Sequence, residues 1–397
     1  MEQRSMVHLK KLAEEIGCRP VGSEANHEAA QYIEECFAGC GMEVEVQTFE
    51  VPDWQLTDAY IEVDGRRLEA TGNNFSESCA VTGEIVPFCT MDELDASPEL
   101  HGKIAFLYGE LSKENYVPKG FSIYNPEHHR RTIQLLEDKE PSAILFVSME
   151  KGQRVPIVND WDFRIPSLTV TPETALSVKG TATVVIQSER RQGKTCNVIG
   201  RRQGAGREKI ILAAHYDTVF DTAGAFDNGS GVALLLALVE EIAKRTDWRT
   251  GFECIAFSSE EYLGLGDEHY VKEHEAGLKD AIVAMNFDGI GQSLGTNTMT
   301  LMAGSEALEK ALKRRKHAHP AVQWRTPWYE SNHYTFFARG VPSIPFSCTG
   351  VSDLLHSKED TISWISQEKL QEVQSLALEI IEDLQDRQVE WAKKQDS

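Results

Sequence analysis

The sequence predicts an α/β protein: a mostly parallel central sheet with helices on both faces, interrupted by a smaller inserted α/β module. Three observations carry the prediction. From Thr195 onward, apolar runs of strand length alternate with segments of helical length, the pattern of a parallel sheet covered on both sides. Between about residues 60 and 190 the texture differs, with short strands separated by polar loops. Finally, histidine and acidic side chains stand at the ends of successive apolar runs, where sheets of this class collect their ligands. The expected division is residues 1–60 with 190–397 as one domain and 61–189 as the insertion.

Taken in order, Val7–Ile16 and Asn26–Ala38 read as helices, the second through Ala29, Ala30, Ile33 and Phe37 on one face. Pro20 and Gly22 mark the turn between them. EVEVQTFEV, Glu43–Val51, alternates as a strand whose pattern slips once, which indicates a bulge or an edge. IEVDGRRLEA, GKIAFLYG (Gly102–Gly109) and SAILFVSM (Ser142–Met149) read as strands of the insertion. His128–Lys139 reads as its helix and Ala182–Gln187 as a closing strand. NVIG (Asn197–Gly200) and KIILAAHYD (Lys209–Asp217) open the regular series. GVALLLALVEEIAKR, Gly231–Arg245, is a helix apolar on nearly every face. ECIAFSSEE, AIVAMNFDG and MTLMAG continue the strands.

Composition limits the partners. The chain has 397 residues, 41% hydrophobic and 26% charged, ordinary for a globular protein with a sizeable core. With 40 basic against 62 acidic residues its net charge is −22, which disfavours nucleic acid and anionic membrane and favours cations or a positively charged ligand end. Met1–Cys18 has no apolar run of signal-peptide length, and no segment approaches the roughly 20 apolar residues of a membrane helix. The chain therefore reads as cytoplasmic. Its eight cysteines are dispersed without a CxxC pair, so free thiols are expected in place of disulfides or a thiolate metal site.

Five side chains able to bind a transition metal, His215, Asp227, Glu261, Asp288 and His356, each fall at a strand end or in a turn, and Glu260 stands beside one of them. Singly, each has a plain structural reading. A lone histidine is usually a surface or capping residue, Asp227 and Asp288 fit turns, and adjacent glutamates suit a helix start. Jointly they match a hydrolase in which a bridging carboxylate lets two cations sit about 3.5–4 Å apart, with a sixth acid left over as general base. Imidazole and carboxylate donors suit zinc and other divalent first-row metals. Asp217, two residues after His215, is placed to accept the other ring N–H and fix the tautomer. The glycines of GAFDNGSG permit close backbone approach around Asp227.

The ordered segments HYDTV, GAFDNGSGVA, FSSEEYLGLG, NFDGIG and HSKEDT, with the N-terminal RPVGSEANHEAAQYI, resemble the di-zinc aminopeptidase family that includes bacterial leucyl aminopeptidases, with glutamate carboxypeptidase and glutaminyl cyclase as relatives. The resemblance implies a two-zinc exopeptidase acting on peptides. It would place His215 and Asp288 on one zinc, Glu261 and His356 on the other, and Asp227 between them. Glu260 would be the general base and Asp217 the residue that orients His215. It also implies a cis peptide bond from Asp227 to Asn228. The GKIAFLYG strand, the helix ending before EPSAILFV and the following RIPSLTVTPETA resemble a protease-associated domain.

Two positions depart from the family pattern: Asn332 stands where an aspartate is frequent, and Phe226 where an acid or small residue often precedes the bridging aspartate. His333 is then either a substrate-binding or supporting residue, or a packed one. His128, His129, His269, His274, His317 and His319 read as solvated surface residues. A glutaminyl cyclase would use the same fold with one zinc. A carboxypeptidase for acidic dipeptides would need a basic group such as Arg325 or Arg339. A non-catalytic binding relative, of the transferrin-receptor kind, would lack ligands, and none is missing.

Overall fold

Four strands, Gly251–Phe257, Lys209–His215, Ala281–Phe287 and Ser343–Thr349, lie side by side in that order and all parallel in the computed structural model. The structure describes residues 3–121, 125–152, 154–262 and 264–394; Leu263, within the FSSEEYLGLG motif, lies outside them. Every residue of Gly251–Phe257 and Ala281–Phe287 is buried, as is all of Lys209–His215 after its first residue. This is why these strands read as continuous apolar runs and not as alternating ones. Thr296–Met299 pairs antiparallel with Ser343–Thr349, and Gln323–Trp324 lies beyond it. On the other side, residues 198–202 run antiparallel to Gly251–Phe257, so NVIG does not join the parallel set.

The sheet has two apolar faces. Ile210, Leu212 and Ala214 pack into one cluster, and Ile211 and Ala213 into another. The helix Ser230–Lys244 covers the first face and packs in turn against the helices Arg4–Lys10 and Gln367–Asp383. Enclosed between sheet and helices, it buries eleven residues from Ser230 to Ile242, which explains an apolar character that goes nearly all round.

The chain divides into two units, Met1–Val51 with Gly193–Ser397, and Pro52–Gln192. Both divisions fall inside strands, Glu43–Val63 and Thr181–Arg202. In the second unit Cys79–Phe88, Lys103–Leu107, Ala143–Val147 and Ser167–Val170 are successive parallel neighbours. The helix Glu127–Lys139 buries Thr132, Ile133 and Leu136, and a cluster of Leu107, Ile133, Leu136 and Phe146 forms beneath it. The other face gathers Ile104, Leu145, Leu168 and Val184.

Three expectations are corrected. The first strand continues past Val51 to Val63. The strand placed at MTLMAG lies earlier, at Thr296–Met299; its buried Asn297 is satisfied by the Gly291 N–H and the Lys369 carbonyl, so polar residues sit where periodicity sought apolar ones. His129 is buried against Tyr116, with Nδ1 accepting the Val117 N–H at 3.2 Å. All eight cysteines are free. No helix among the described residues is long and apolar enough to cross a membrane.

Candidate metal centre

The carboxyl ends of three neighbouring strands deliver four of the six side chains. His215 is the last residue of its strand, Asp288 directly follows Ala281–Phe287, and Glu260 and Glu261 stand in the turn after Gly251–Phe257. Asp227 and His356 come from loops. Asp227 precedes the helix Ser230–Lys244, in a turn where Gly224 has φ +55°. A Cβ on Gly231 would run into the Phe287 carbonyl and Asn228 Oδ1, so only glycine lets the turn close there. The Asp227–Asn228 peptide bond is cis.

Asp227 lies between the two histidines and turns one oxygen to each. Its Oδ1 is 3.3 Å from His215 Nε2, and its Oδ2 is 3.2 Å from His356 Nε2. Asp288 Oδ1 lies 3.5 Å from His215 Nε2, and Glu261 Oε2 lies 3.1 Å from His356 Nε2. His215, Asp227 and Asp288 thus form one group of ligand-type atoms within 4.8 Å of one another, and Asp227, Glu261 and His356 a second. Glu260 stands outside both groups, its Oε2 3.9 Å from His215 Nε2. His215 is 1% exposed as a side chain, whereas His356 is 42% exposed.

Four neighbours hold this arrangement. Asp217 accepts the main-chain N–H of Glu260 and of Glu261, each at 3.2 Å, and so fixes the turn that carries both. Its Oδ1 is 3.6 Å from His215 Nδ1, while its main-chain oxygen is nearer, at 3.3 Å. Asn228 donates to the Phe287 carbonyl and accepts from Gly231 and Gly289, tying the Asp227 turn to the Asp288 segment. Arg19, fully buried, donates to the carbonyls of Leu12, Gly17, Tyr216, Ala223 and Gly224, under the chain that links His215 to Asp227. Asp360, also fully buried, accepts the N–H of Phe226 at 2.7 Å and of Asp227 at 3.0 Å. The sequence reading assigned no role to Arg19, Asn228 or Asp360, although all three lie in segments it singled out.

The charges are poorly balanced without a cation. Burial raises Glu260 well above the usual carboxylate range; His215 opposes the rise and Asp288 adds to it. Burial and the charge of Asp227 push Glu261 up to about 7. Burial would also raise Asp227, but its two histidine partners hold it below the usual range. Burial would lower His215, yet Glu260 and Asp288 bring it well above its ordinary value, and Glu261 and Asp227 do the same for His356. Glu261 Oε1 is buried with no hydrogen-bond partner. Crowded acids, two imidazoles and an orphaned carboxylate oxygen are the donor chemistry of divalent first-row cations, and the residues fit such ions.

The two departures from the family pattern have local accounts. Phe226 is buried with its ring against Gly289, where a Cβ would come within 3.1 Å of it. Asn332 Nδ2 donates to Asp267 Oδ2 at 2.7 Å, and Thr335 Oγ1 to Asp267 Oδ1 at 2.6 Å, so Asp267 sets a carboxylate beside Asn332. Burial pushes Asp267 up to about 6 against those two bonds. His333 is fully buried, with Nε2 on the Trp328 carbonyl at 2.8 Å; it is a packed residue that offers a substrate no surface. Arg339 pairs with Glu275 at 3.3 Å and donates to the Thr335 carbonyl at 2.9 Å. Two other metal-like groups have internal explanations. Glu45 of the Glu45–Glu273–His274 group is paired with Arg201 and His274. In the group of Glu114, His128 and His129, the N–H accepted by His129 Nδ1 leaves the proton of the neutral ring on Nε2, the atom facing Glu114.

Residues 197–381 match the model of Peptidase family M28. Aminopeptidase YwaD of Bacillus subtilis is 26% identical, over 93% of this chain and 81% of its own length. Two solved structures share the fold. The zinc aminopeptidase BSAP from Bacillus subtilis has a TM-score of 0.79 and 21% identity, covering 98% of this chain and 97% of that one. The aminopeptidase from Aneurinibacillus sp. strain AM-1 has a TM-score of 0.75 and 22% identity, covering 99% and 96%. The matched segment runs from before His215 to beyond Asp360 and contains His215, Asp217, Asp227, Asn228, Glu260, Glu261, Asp288, His356 and Asp360, so this part of the chain is similar to peptidase family M28.

Proposed function

We propose that the protein is a zinc-dependent aminopeptidase that releases N-terminal residues from peptides, with two ions at the centre. The observation that carries the two-ion count is the position of Asp227, whose two oxygens face different histidines at 3.3 and 3.2 Å. His215 and Asp288 would hold one ion, Glu261 and His356 the other, and Asp227 both. Bound there, the ions would polarise the substrate carbonyl and lower the pKa of an attacking water toward about 7.

The chain's own residues do the rest. Glu260, outside both groups of ligand-type atoms, takes the proton of the attacking water on a side-chain oxygen and returns it to the leaving amine. Asp217 holds the Glu260 and Glu261 main chain, so base and ligand keep one spacing. The acids around the centre favour the positive α-amine of a peptide over its carboxylate end. Residues 52–192 form a unit of their own, which we read as protease-associated-like from its parallel strands around the Glu127–Lys139 helix.

Amino-acid p-nitroanilides and short peptides, assayed with and without chelator, test the reading. Release of N-terminal residues that chelator abolishes and zinc restores is expected. Activity indifferent to both would remove the metallopeptidase assignment.

A further inference from the structure

The two halves of the centre are supported differently. His215 ends one strand and Asp288 directly follows its paired neighbour, so the ladder between the two strands fixes their separation, and Asn228 ties the Asp227 turn to that pair. His356 has no such frame: it sits in a loop, at φ +57°, seven residues past the end of its strand. Besides an exposed Lys358–Asp221 ion pair, four hydrogen bonds fasten this loop to the Asp227 turn. Thr222 Oγ1 donates to the Ser357 carbonyl at 2.7 Å, and the Ala225 N–H to the Asp360 carbonyl at 3.4 Å. The Phe226 and Asp227 N–H groups reach the Asp360 carboxylate at 2.7 and 3.0 Å. Three of the four end on Asp360.

Resting on the two-ion reading above, we infer that Asp360 is a positioning residue for the Glu261–His356 half of the centre: it sets the distance at which His356 and Asp227 share a cation. Its carboxylate touches neither histidine nor substrate; it acts through the main chain of a bridging ligand. A carboxylate suits the task because two N–H donors converge on it and each of its oxygens accepts one. Being fully buried, it makes those bonds without competition from water. An asparagine keeps one acceptor and turns an NH2 group toward the other N–H.

The test is cation binding, read without turnover. Metal-free full-length protein, as wild type, Asp360→Asn and Thr222→Val, is titrated with Co2+, followed by its visible absorption, and with Zn2+ against a competing chelator. Two ions are expected for the wild type. For Asp360→Asn, one ion should bind within a few-fold of wild type and the other about 10- to 100-fold more weakly, the usual cost of losing a residue that orients a ligand. Thr222→Val, which removes one tie and keeps the volume, should weaken the same ion by a smaller factor.

Unchanged affinity for both ions in Asp360→Asn overturns the inference, as does an equal loss of both, which would make Asp360 a support of the whole unit. If Asp360→Asn does not fold, Thr222→Val decides, and an unchanged second affinity there overturns it. A wild-type chain that takes up a single ion defeats the two-ion reading first and this inference with it.

Discussion

Replacing Glu260 by glutamine separates chemistry from coordination more cleanly than any other single change. The amide has the shape of the carboxylate, so the turn held by Asp217 through the Glu260 and Glu261 N–H groups should stay in place. Glu260 Oε2 is 3.9 Å from His215 Nε2, whereas Asp227 and Asp288 approach that atom to 3.3 and 3.5 Å, so both groups of ligand-type atoms remain whole. On the proposed mechanism, what is lost is an acceptor for the proton of the attacking water. General-base transfer is worth roughly 10²–10⁴-fold in rate, and at about 1.4 kcal/mol per decade the barrier should rise by about 3–5 kcal/mol. The assay is steady-state hydrolysis of the best p-nitroanilide, with the metal content of the same sample measured by mass spectrometry. The expected result is kcat down by at least about a hundredfold, KM within a few-fold and metal content unchanged. A kcat within tenfold of wild type at full metal content would refute the base role, and loss of one ion would make Glu260 a ligand.

Two further outcomes concern stability. Arg19→Leu leaves five main-chain carbonyls without the buried donor they share, which should destabilise the protein by on the order of 3–5 kcal/mol in urea unfolding; a loss below about 1 kcal/mol would show that water replaces the guanidinium. In the metal-free protein, Glu261 is raised to about 7 from an ordinary 4.5, and both histidines are raised as well. A raised folded value means the native state binds the proton more tightly, so this contribution is complete in acid and is lost as pH rises through the folded values. Asp227, lowered, acts in the opposite sense, but only below its ordinary 3.8. Melting temperature of the metal-free protein should therefore fall from pH 5.5 to 8.5, with a flatter profile once zinc is bound. A metal-free melting temperature that climbs over that interval would contradict the assignment.

Much of the sheet was legible because its strands are buried on both faces and so read as unbroken apolar runs. IILAA before His215 and AIVAMNF before Asp288 announce both a strand and the place where its ligand should stand. Ser343–Thr349 announced nothing, since Pro345, Ser343 and Ser347 break its apolar run although the strand pairs on both sides. His129 was misplaced because EHHRR is polar in composition, while the helix turns that one ring toward Tyr116. The supports of the centre were beyond periodicity altogether. Asp360, Asn228 and Arg19 act through main-chain N–H and C=O groups of loops, and a sequence records which side chains exist but not which loop carbonyl or amide comes to rest beside them. The exchange at positions 267 and 332 is similar: the asparagine was visible, but the carboxylate it meets comes from a helix some sixty residues earlier.

The six side chains at the centre come from five separate stretches of chain, and in the unfolded polypeptide only Glu260 and Glu261 are neighbours. Such a chain has almost no grip on a divalent ion, so whatever affinity the centre has is made by folding. Mass action then runs the other way: an ion held a thousandfold below its free concentration deepens the native state by about 4 kcal/mol. Metal content would thus serve as a census of correctly folded molecules. The centre joins three strand ends and two loops into one cross-link that no covalent bond supplies in this disulfide-free protein, and a chelator should loosen the whole sheet along with the active site.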